Sequence, residues 1–74
     1  MAEFAVILVH TTSHAVYAER VLRKAGIAVK LVPTPRQLSS DCGSALRIAA
    51  ADRAASVAAL AGAGVPVDRI EDVT

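Results

Sequence analysis

The sequence has few of the residues that characterise the common functional classes. Its 74 residues include no tryptophan, one tyrosine, one phenylalanine and one cysteine. Nucleic-acid binding is not expected, because almost no aromatic side chains are present to stack on bases and the eight basic residues, set against seven acidic ones, are scattered along the chain. A single cysteine excludes an internal disulfide, so the chain gives no sign of an oxidising compartment.

Long apolar runs are also missing. The run at residues 4–9 is too short for a signal peptide or a membrane span, and no basic residue precedes it. We therefore predict a cytoplasmic protein with no membrane contact. The length predicts one domain over residues 1–74, and its core should be thin because the apolar residues are mostly alanine and valine. A homodimer would cover more apolar area.

The apolar pattern predicts four strands and two helices. Residues 4–9 are apolar throughout and rich in β-branched side chains, which is typical of a central strand. Residues 13–25 carry apolar side chains at helical spacing, and Gly26 is expected to end that helix in a left-handed conformation. The further predicted elements are strands at 27–32, 45–49 and 65–73 and a helix that begins near Asp52.

Two details of the second half of the chain accompany this assignment. The second helix is expected to bury a stripe that consists of Ala54, Val57, Leu60 and Ala61. Asp52 is its expected cap, and Pro66 is expected within the last strand, which must then be an edge strand because proline donates no ladder hydrogen bond.

The order β-α-β-β-α-β predicts an α+β domain of the ferredoxin-like, split βαβ type. Right-handed crossovers place both helices on one face of a four-stranded antiparallel sheet. In that topology the first and third strands are central, and the second strand ends on the side of the sheet where His10 follows the first strand.

The chemistry is concentrated in residues 33–43, between the second and third predicted strands. Two prolines make this segment extended and stiff, and Gly43 gives the backbone after Cys42 torsions that are closed to other residues. Unpaired cysteines are most often buried apolar fillers, but the polar neighbours of Cys42 favour an exposed thiol.

The residues near Cys42 affect its ionisation. Arg36, Ser39 and Ser40 bring a cation and hydroxyl donors close in sequence, and such groups stabilise the thiolate, which is the reactive form. Asp41 acts in the opposite direction, because an adjacent carboxylate raises the pKa of a thiol.

His10 and His14 suggest two further sites. A zinc site needs three or four protein ligands at recognisable spacing, which these residues and Cys42 do not supply, so no metal is expected. A catalytic pair of Cys42 and His10 stays open as an alternative, because the predicted topology brings the loop to the His10 side.

Several segments resemble one known family. The matching residues are 4–9, Ser13-His14-Ala15, Ala18-Glu19, Leu22, Gly26-Ile27, Leu31-Val32-Pro33-Thr34-Pro35-Arg36, Ser39-Ser40 and Cys42-Gly43. Together they are similar to the putative selenium/sulfur carrier protein family of small single-cysteine domains. The most specific part is Pro-Thr-Pro-Arg followed by Ser-Ser-x-Cys-Gly, and Asp41 occupies a position at which the family usually has serine.

The resemblance implies a carrier and not an enzyme. Cys42 would hold sulfur or selenium as a persulfide or selenopersulfide, received from a donor of the cysteine desulfurase type and passed to an acceptor enzyme. Arg36, Ser39, Ser40 and the Gly43 amide would donate hydrogen bonds to the terminal atom. No resident cofactor is implied, only the transient covalent sulfur or selenium.

Two other classes stay open. A ferredoxin-like domain often serves as a regulatory or ligand-binding module that dimerises through its sheet, and Cys42 would then be incidental. A thiol-dependent enzyme is the third class, and it would turn over without any partner protein.

Overall fold

The computed structural model describes residues 3–34 and 43–73. The strands are β1 (Phe4–Leu8), β2 (Val29–Pro33), β3 (Ser44–Ala49) and β4 (Arg69–Val73). The helices are α1 (Thr12–Lys24) and α2 (Arg53–Gly62), and a short 3-10 helix (Ala50–Asp52) leads into α2. The element order is β-α-β-β-α-β, so the predicted α+β, ferredoxin-like class is confirmed.

The four strands form one antiparallel sheet in the order β2-β3-β1-β4. β1 and β3 are the central strands, as the sequence predicts. β1 carries apolar side chains at every position, and from Ala5 to Leu8 all of them are buried. A strand of this kind needs cover on both faces and a neighbour on both edges, which only a central position provides.

The main core lies between the sheet and the two helices. Ala5 and Ile7 of β1 and Leu46 and Ile48 of β3 share one face of the sheet, since side chains alternate along each strand. The helical residues that pack against them are Ala15, Ala18 and Leu22 of α1 and Leu60 of α2. Three of these eight side chains are alanine and the other five are leucine or isoleucine.

The opposite face of the sheet is a mixed surface. Val6, Leu8 and Ala45 are buried there, with Val32 and Val73 packed against them. The strand registers place charged residues on the same face, namely Lys30, Arg47, Arg69 and Glu71. The Arg47 guanidinium lies 4.7 Å from the centre of the Phe4 ring, and Arg69 Nε is 3.3 Å from a Glu71 carboxylate oxygen.

Both helices end in the same hydrogen-bonded motif. Gly26 has φ of 82°, and the Ile27 N–H donates to the Leu22 carbonyl at 2.9 Å, as expected from the sequence. Gly64 has φ of 70°, and the Val65 N–H donates to the Leu60 carbonyl at 3.0 Å. A glycine in the left-handed region lets each chain reverse towards the next strand while capping carbonyls of the last turn.

The predicted starts of β2 and β4 are wrong. β2 begins at Val29 and includes Pro33, whereas the prediction placed it at residues 27–32. β4 begins at Arg69, so Pro66 precedes the strand instead of lying in it. The Asp68 N–H donates to the Leu8 carbonyl at 2.8 Å, and regular pairing starts only after that bond, three residues beyond the proline ring.

The predicted buried stripe of α2 is confirmed only at Leu60. Val57 is 46% exposed, and Ala54 and Ala61 are exposed as well. The face that packs on the core consists of Ser56, Ala59, Leu60 and Ala63. Alanine fits either a buried or an exposed face, so the spacing of apolar residues does not fix the orientation of this helix.

Two polar residues of this region lack the expected bonds. Asp52 occupies the N-cap position of α2, as predicted, but its side chain makes no capping hydrogen bond. Ser56 is fully buried, and its Oγ has no hydrogen-bond partner among the described residues. A buried hydroxyl without a partner carries an uncompensated desolvation cost.

Replacing Ser56 with alanine is therefore predicted to stabilise the domain. Ser56→Ala removes the buried hydroxyl and improves helix propensity, so the free energy of unfolding in urea should rise by roughly 1 kcal/mol. Ala58→Ser, at an exposed position of the same helix, is the control and should lower it by a few tenths of a kcal/mol. A loss of stability in Ser56→Ala would contradict the prediction, because it would mean that the hydroxyl is bonded.

Candidate functional site

The segment that contains Cys42 is anchored at both of its described ends. Pro33, the last residue of β2, pairs with Ser44, the first residue of β3. One step further out, the Thr34 N–H donates to the Gly43 carbonyl at 3.0 Å. The chain therefore leaves the sheet after Thr34 and re-enters it at Gly43, so β2 and β3 are the two strands of a β-hairpin. We call the sequence between them the hairpin connection.

The same edge of the sheet carries the end of β1 and the start of α1. β1 and β2 both run antiparallel to β3, so they run parallel to each other and their carboxyl ends lie at one edge. In the β1–β3 register Leu8 pairs with Ala45, and the two chains continue to His10 on one side and Gly43 on the other. The topology therefore brings His10 to the edge at which β2 ends and β3 begins.

The first turn of α1 places the positive end of a helix dipole at this edge of the sheet. Thr11 is the N-cap, and its Oγ1 accepts a hydrogen bond from the His14 N–H at 3.1 Å. The first turn contains no acidic residue that would offset the helix dipole. The amino end of α1 therefore favours negative charge in its vicinity.

The predicted site residues divide into two groups. His10 and Gly43 are both exposed and lie at the same edge of the sheet. The remaining four lie outside the described residues, and they are Cys42, Arg36, Ser39 and Ser40. Their predicted roles, and the proposed pair of Cys42 with His10, stay predictions.

His14 differs from His10 in its surroundings. It is partly buried in the first turn of α1, and its Nδ1 is buried without a hydrogen-bond partner among the described residues. Within residues 3–34 and 43–73, no three His, Cys, Asp or Glu side chains are grouped so that they could hold a metal ion.

One surface feature was missed by sequence reasoning. A groove separates α1 from α2 on their outer side, with Tyr17, Arg20 and Lys24 along its α1 wall. The helical spacing of the buried residues does not reveal it. The signal available was that Tyr17, Arg20 and Lys24 recur at intervals of three and four residues, which makes a second stripe beside the buried one.

The comparisons with known proteins give one match. A family model described as "Putative Se/S carrier protein-like" matches residues 4–71. No curated protein and no solved structure matches the chain. Among the described residues, no helix has the length and apolar character required to cross a bilayer.

The N-cap at Thr11 gives a prediction about how much the first turn of α1 contributes to the stability of the domain. Thr11→Ala removes the side-chain acceptor for the His14 N–H and should lower the free energy of unfolding by about 1 kcal/mol. Thr11→Ser keeps a hydroxyl at the same position and should cost less than half as much. Urea denaturation of the two variants checks this, and equal losses would show that the capping bond does not stabilise α1.

Proposed function

Because the chain belongs to the Se/S carrier protein-like family, we propose that it carries sulfur or selenium covalently on Cys42. In this proposal Cys42 receives the atom from a donor protein of the cysteine desulfurase type and passes it to an acceptor enzyme. The observation that carries the proposal is the family match, which spans 4–71 and so includes the only cysteine of the chain.

The transfer step needs only a thiolate and a persulfide. The Cys42 thiolate attacks the outer sulfur of the donor's Cys–S–SH group, the donor S–S bond breaks, and the donor cysteine leaves as a thiolate. Cys42 is then Cys–S–SH. The acceptor removes the outer sulfur by the same exchange, and a selenium atom moves in the same way. No external oxidant or reductant enters the balance, because each exchange breaks one bond to the outer atom and forms another.

The presence of one cysteine suits a carrier. A second thiol in the same chain could attack the persulfide of Cys42, close a disulfide and release hydrogen sulfide. The chain has no such thiol, so the loaded form cannot be discharged by a second cysteine of the same chain. This supports a protein that holds its cargo until an acceptor arrives.

The position of the hairpin connection supports the same proposal. Its ends are fixed by the Thr34–Gly43 hydrogen bond at an exposed edge of the sheet, which suits a group that must meet two partner proteins. The amino end of α1 lies at this edge and favours anions such as a thiolate or a persulfide.

Roles for the neighbouring residues follow from the chemistry of the anion. We propose that Arg36, Ser39, Ser40 and the Gly43 amide donate hydrogen bonds to the terminal sulfur or selenium. His10 is proposed as the group that accepts the thiol proton before transfer or, when protonated, pairs with the thiolate.

Intact-mass analysis tests the proposal directly. The purified chain is incubated with a cysteine desulfurase and cysteine, or with selenocysteine and a selenocysteine lyase. We predict an added mass of one sulfur or one selenium atom that dithiothreitol removes. Cys42→Ser is the control and should show no adduct, because a serine hydroxyl does not take part in this exchange.

Absence of the adduct on the native chain under both conditions would contradict the proposal. An adduct of equal yield on Cys42→Ser would contradict it as well, because the added atom would then reside elsewhere.

A further inference from the structure

The groove between the two helices has a wall of long side chains and a wall of short ones. We call it the interhelix groove and define it by Tyr17, Arg20 and Lys24 of α1 with Ala59, Gly62 and Ala63 at the end of α2. It has a volume of about 560 Å³ and is open to solvent. Tyr17 is 50% exposed, which is high for a large aromatic residue.

The short wall keeps the groove open. Ala59, Gly62 and Ala63 project little or nothing towards α1, and a Cβ built at Gly62 meets no atom within 4 Å. A larger side chain at position 62 would therefore enter free space without a clash. This makes Gly62 a suitable position for a variant that fills the groove.

The charge of the groove is positive. Arg20 and Lys24 are one helical turn apart on the same stripe, a like-charged pair that weakens the helix slightly in the free protein. Within the part of the chain that the structure describes, no acidic residue lines the groove. α1 has one acidic residue, Glu19, and its Oε2 lies 3.6 Å from Arg23 Nη2 on the neighbouring stripe. A ligand that brings carboxylates to Arg20 and Lys24 would relieve their repulsion.

The groove continues along α1. A second depression of about 380 Å³ shares Tyr17 and Arg20 and extends to Val16, Ser13 and Thr12 at the amino end of the helix. Because α1 has 13 residues, the combined surface is about 20 Å long. It ends at the edge of the sheet that carries Thr34 and Gly43.

We propose that the interhelix groove docks an acidic amphipathic helix of the donor protein. This rests on the proposed carrier function. The combined surface of the groove and the second depression matches about four turns of a helix in length, and a surface between two helices is a common receptor for a third. The apolar side chains of that helix pack on Val16, Tyr17 and Val21, and its carboxylates meet Arg20 and Lys24. A helix seated in this way directs its amino or carboxyl end towards the edge that holds the hairpin connection.

A synthetic peptide pair tests the docking chemistry. The first peptide is an amphipathic helix of about 18 residues with leucine on one face and glutamate beside it, and the second has lysine in place of each glutamate. Each is titrated into the isotope-labelled full chain and followed by two-dimensional NMR. We expect the glutamate peptide to shift the signals of Tyr17, Arg20 and Gly62, with an affinity that falls as salt is added.

Matched variants separate the groove from the overall charge. Lys24→Glu lies in the groove and Lys30→Glu lies on the open face of the sheet, and both change the net charge equally. We expect Arg20→Glu/Lys24→Glu to weaken binding of the glutamate peptide roughly tenfold or more, Lys24→Glu alone to weaken it several-fold, and Lys30→Glu to leave it within twofold. Gly62→Glu should weaken it more than Gly62→Gln, which has the same size without the charge.

Three results would overturn the proposal. The first is equal weakening by Lys24→Glu and Lys30→Glu, and the second is equal binding of the glutamate and lysine peptides. The third is binding to phosphatidylserine vesicles, abolished by Arg20→Glu/Lys24→Glu, in a chain that does not bind the glutamate peptide. That result would identify the groove as a membrane contact.

Sulfur loading distinguishes failure of this proposal from failure of the carrier function. Inorganic polysulfide gives a sulfur atom to a thiolate without protein docking, and the shortened polysulfide anion leaves. If polysulfide and desulfurase both fail to load Cys42 of the native chain while the glutamate peptide binds in the groove, the carrier function is wrong and the groove stands. If desulfurase loads Lys24→Glu and Lys30→Glu at equal rates, the docking proposal is wrong and the carrier function stands.

Discussion

The position of β1 in the sheet determines the rest of the structure. Its side chains are apolar on both faces of the sheet, and it is hydrogen-bonded to β3 on one side and to β4 on the other. Only the centre of a sheet satisfies a strand of this kind. Once β1 is central and antiparallel to β3, β2 must run parallel to β1. The carboxyl ends of β1 and β2 then share one edge, and the hairpin connection with Cys42 starts where α1 begins.

Much of this architecture could be predicted, because several local signals agree. Residues 4–9 form an apolar run that only a central strand can bury, and the spacing of Ala15, Ala18 and Leu22 specifies one face of α1. Gly26 ends that helix as expected, since the left-handed conformation after the last turn is accessible mainly to glycine. The shared edge of His10 and Gly43 follows from the topology alone.

Other features could not be predicted, because they depend on packing between elements. The sequence of α2 is so rich in alanine that several faces are equally compatible with burial, and the structure buries the one that contains Ser56. The interhelix groove depends on how α1 and α2 approach each other, and no residue spacing within one helix specifies that distance. The start of β4 depends on the Asp68–Leu8 hydrogen bond, which joins residues that are 60 positions apart in the chain.

We propose two tasks for one small domain. The hairpin connection, whose sequence contains Cys42, is proposed to carry the sulfur or selenium, and the surface of α1 and α2 is proposed to hold the partner that supplies it. A domain of this size is compatible with both tasks, because neither of them requires a deep substrate pocket. In this proposal the chemistry comes from one sulfur atom and its immediate surroundings, and specificity comes from a separate surface on the two helices.

The most direct test of the central claim is the pH dependence of Cys42 alkylation by iodoacetamide. Only the thiolate reacts, so the rate follows its ionisation. The account predicts a rate that is already close to its plateau at neutral pH, as for a thiol with a pKa well below that of free cysteine. A rate that continues to rise until about pH 8.5 or above, as for a free cysteine thiol, would contradict the claim that this edge of the sheet holds a carrier thiolate.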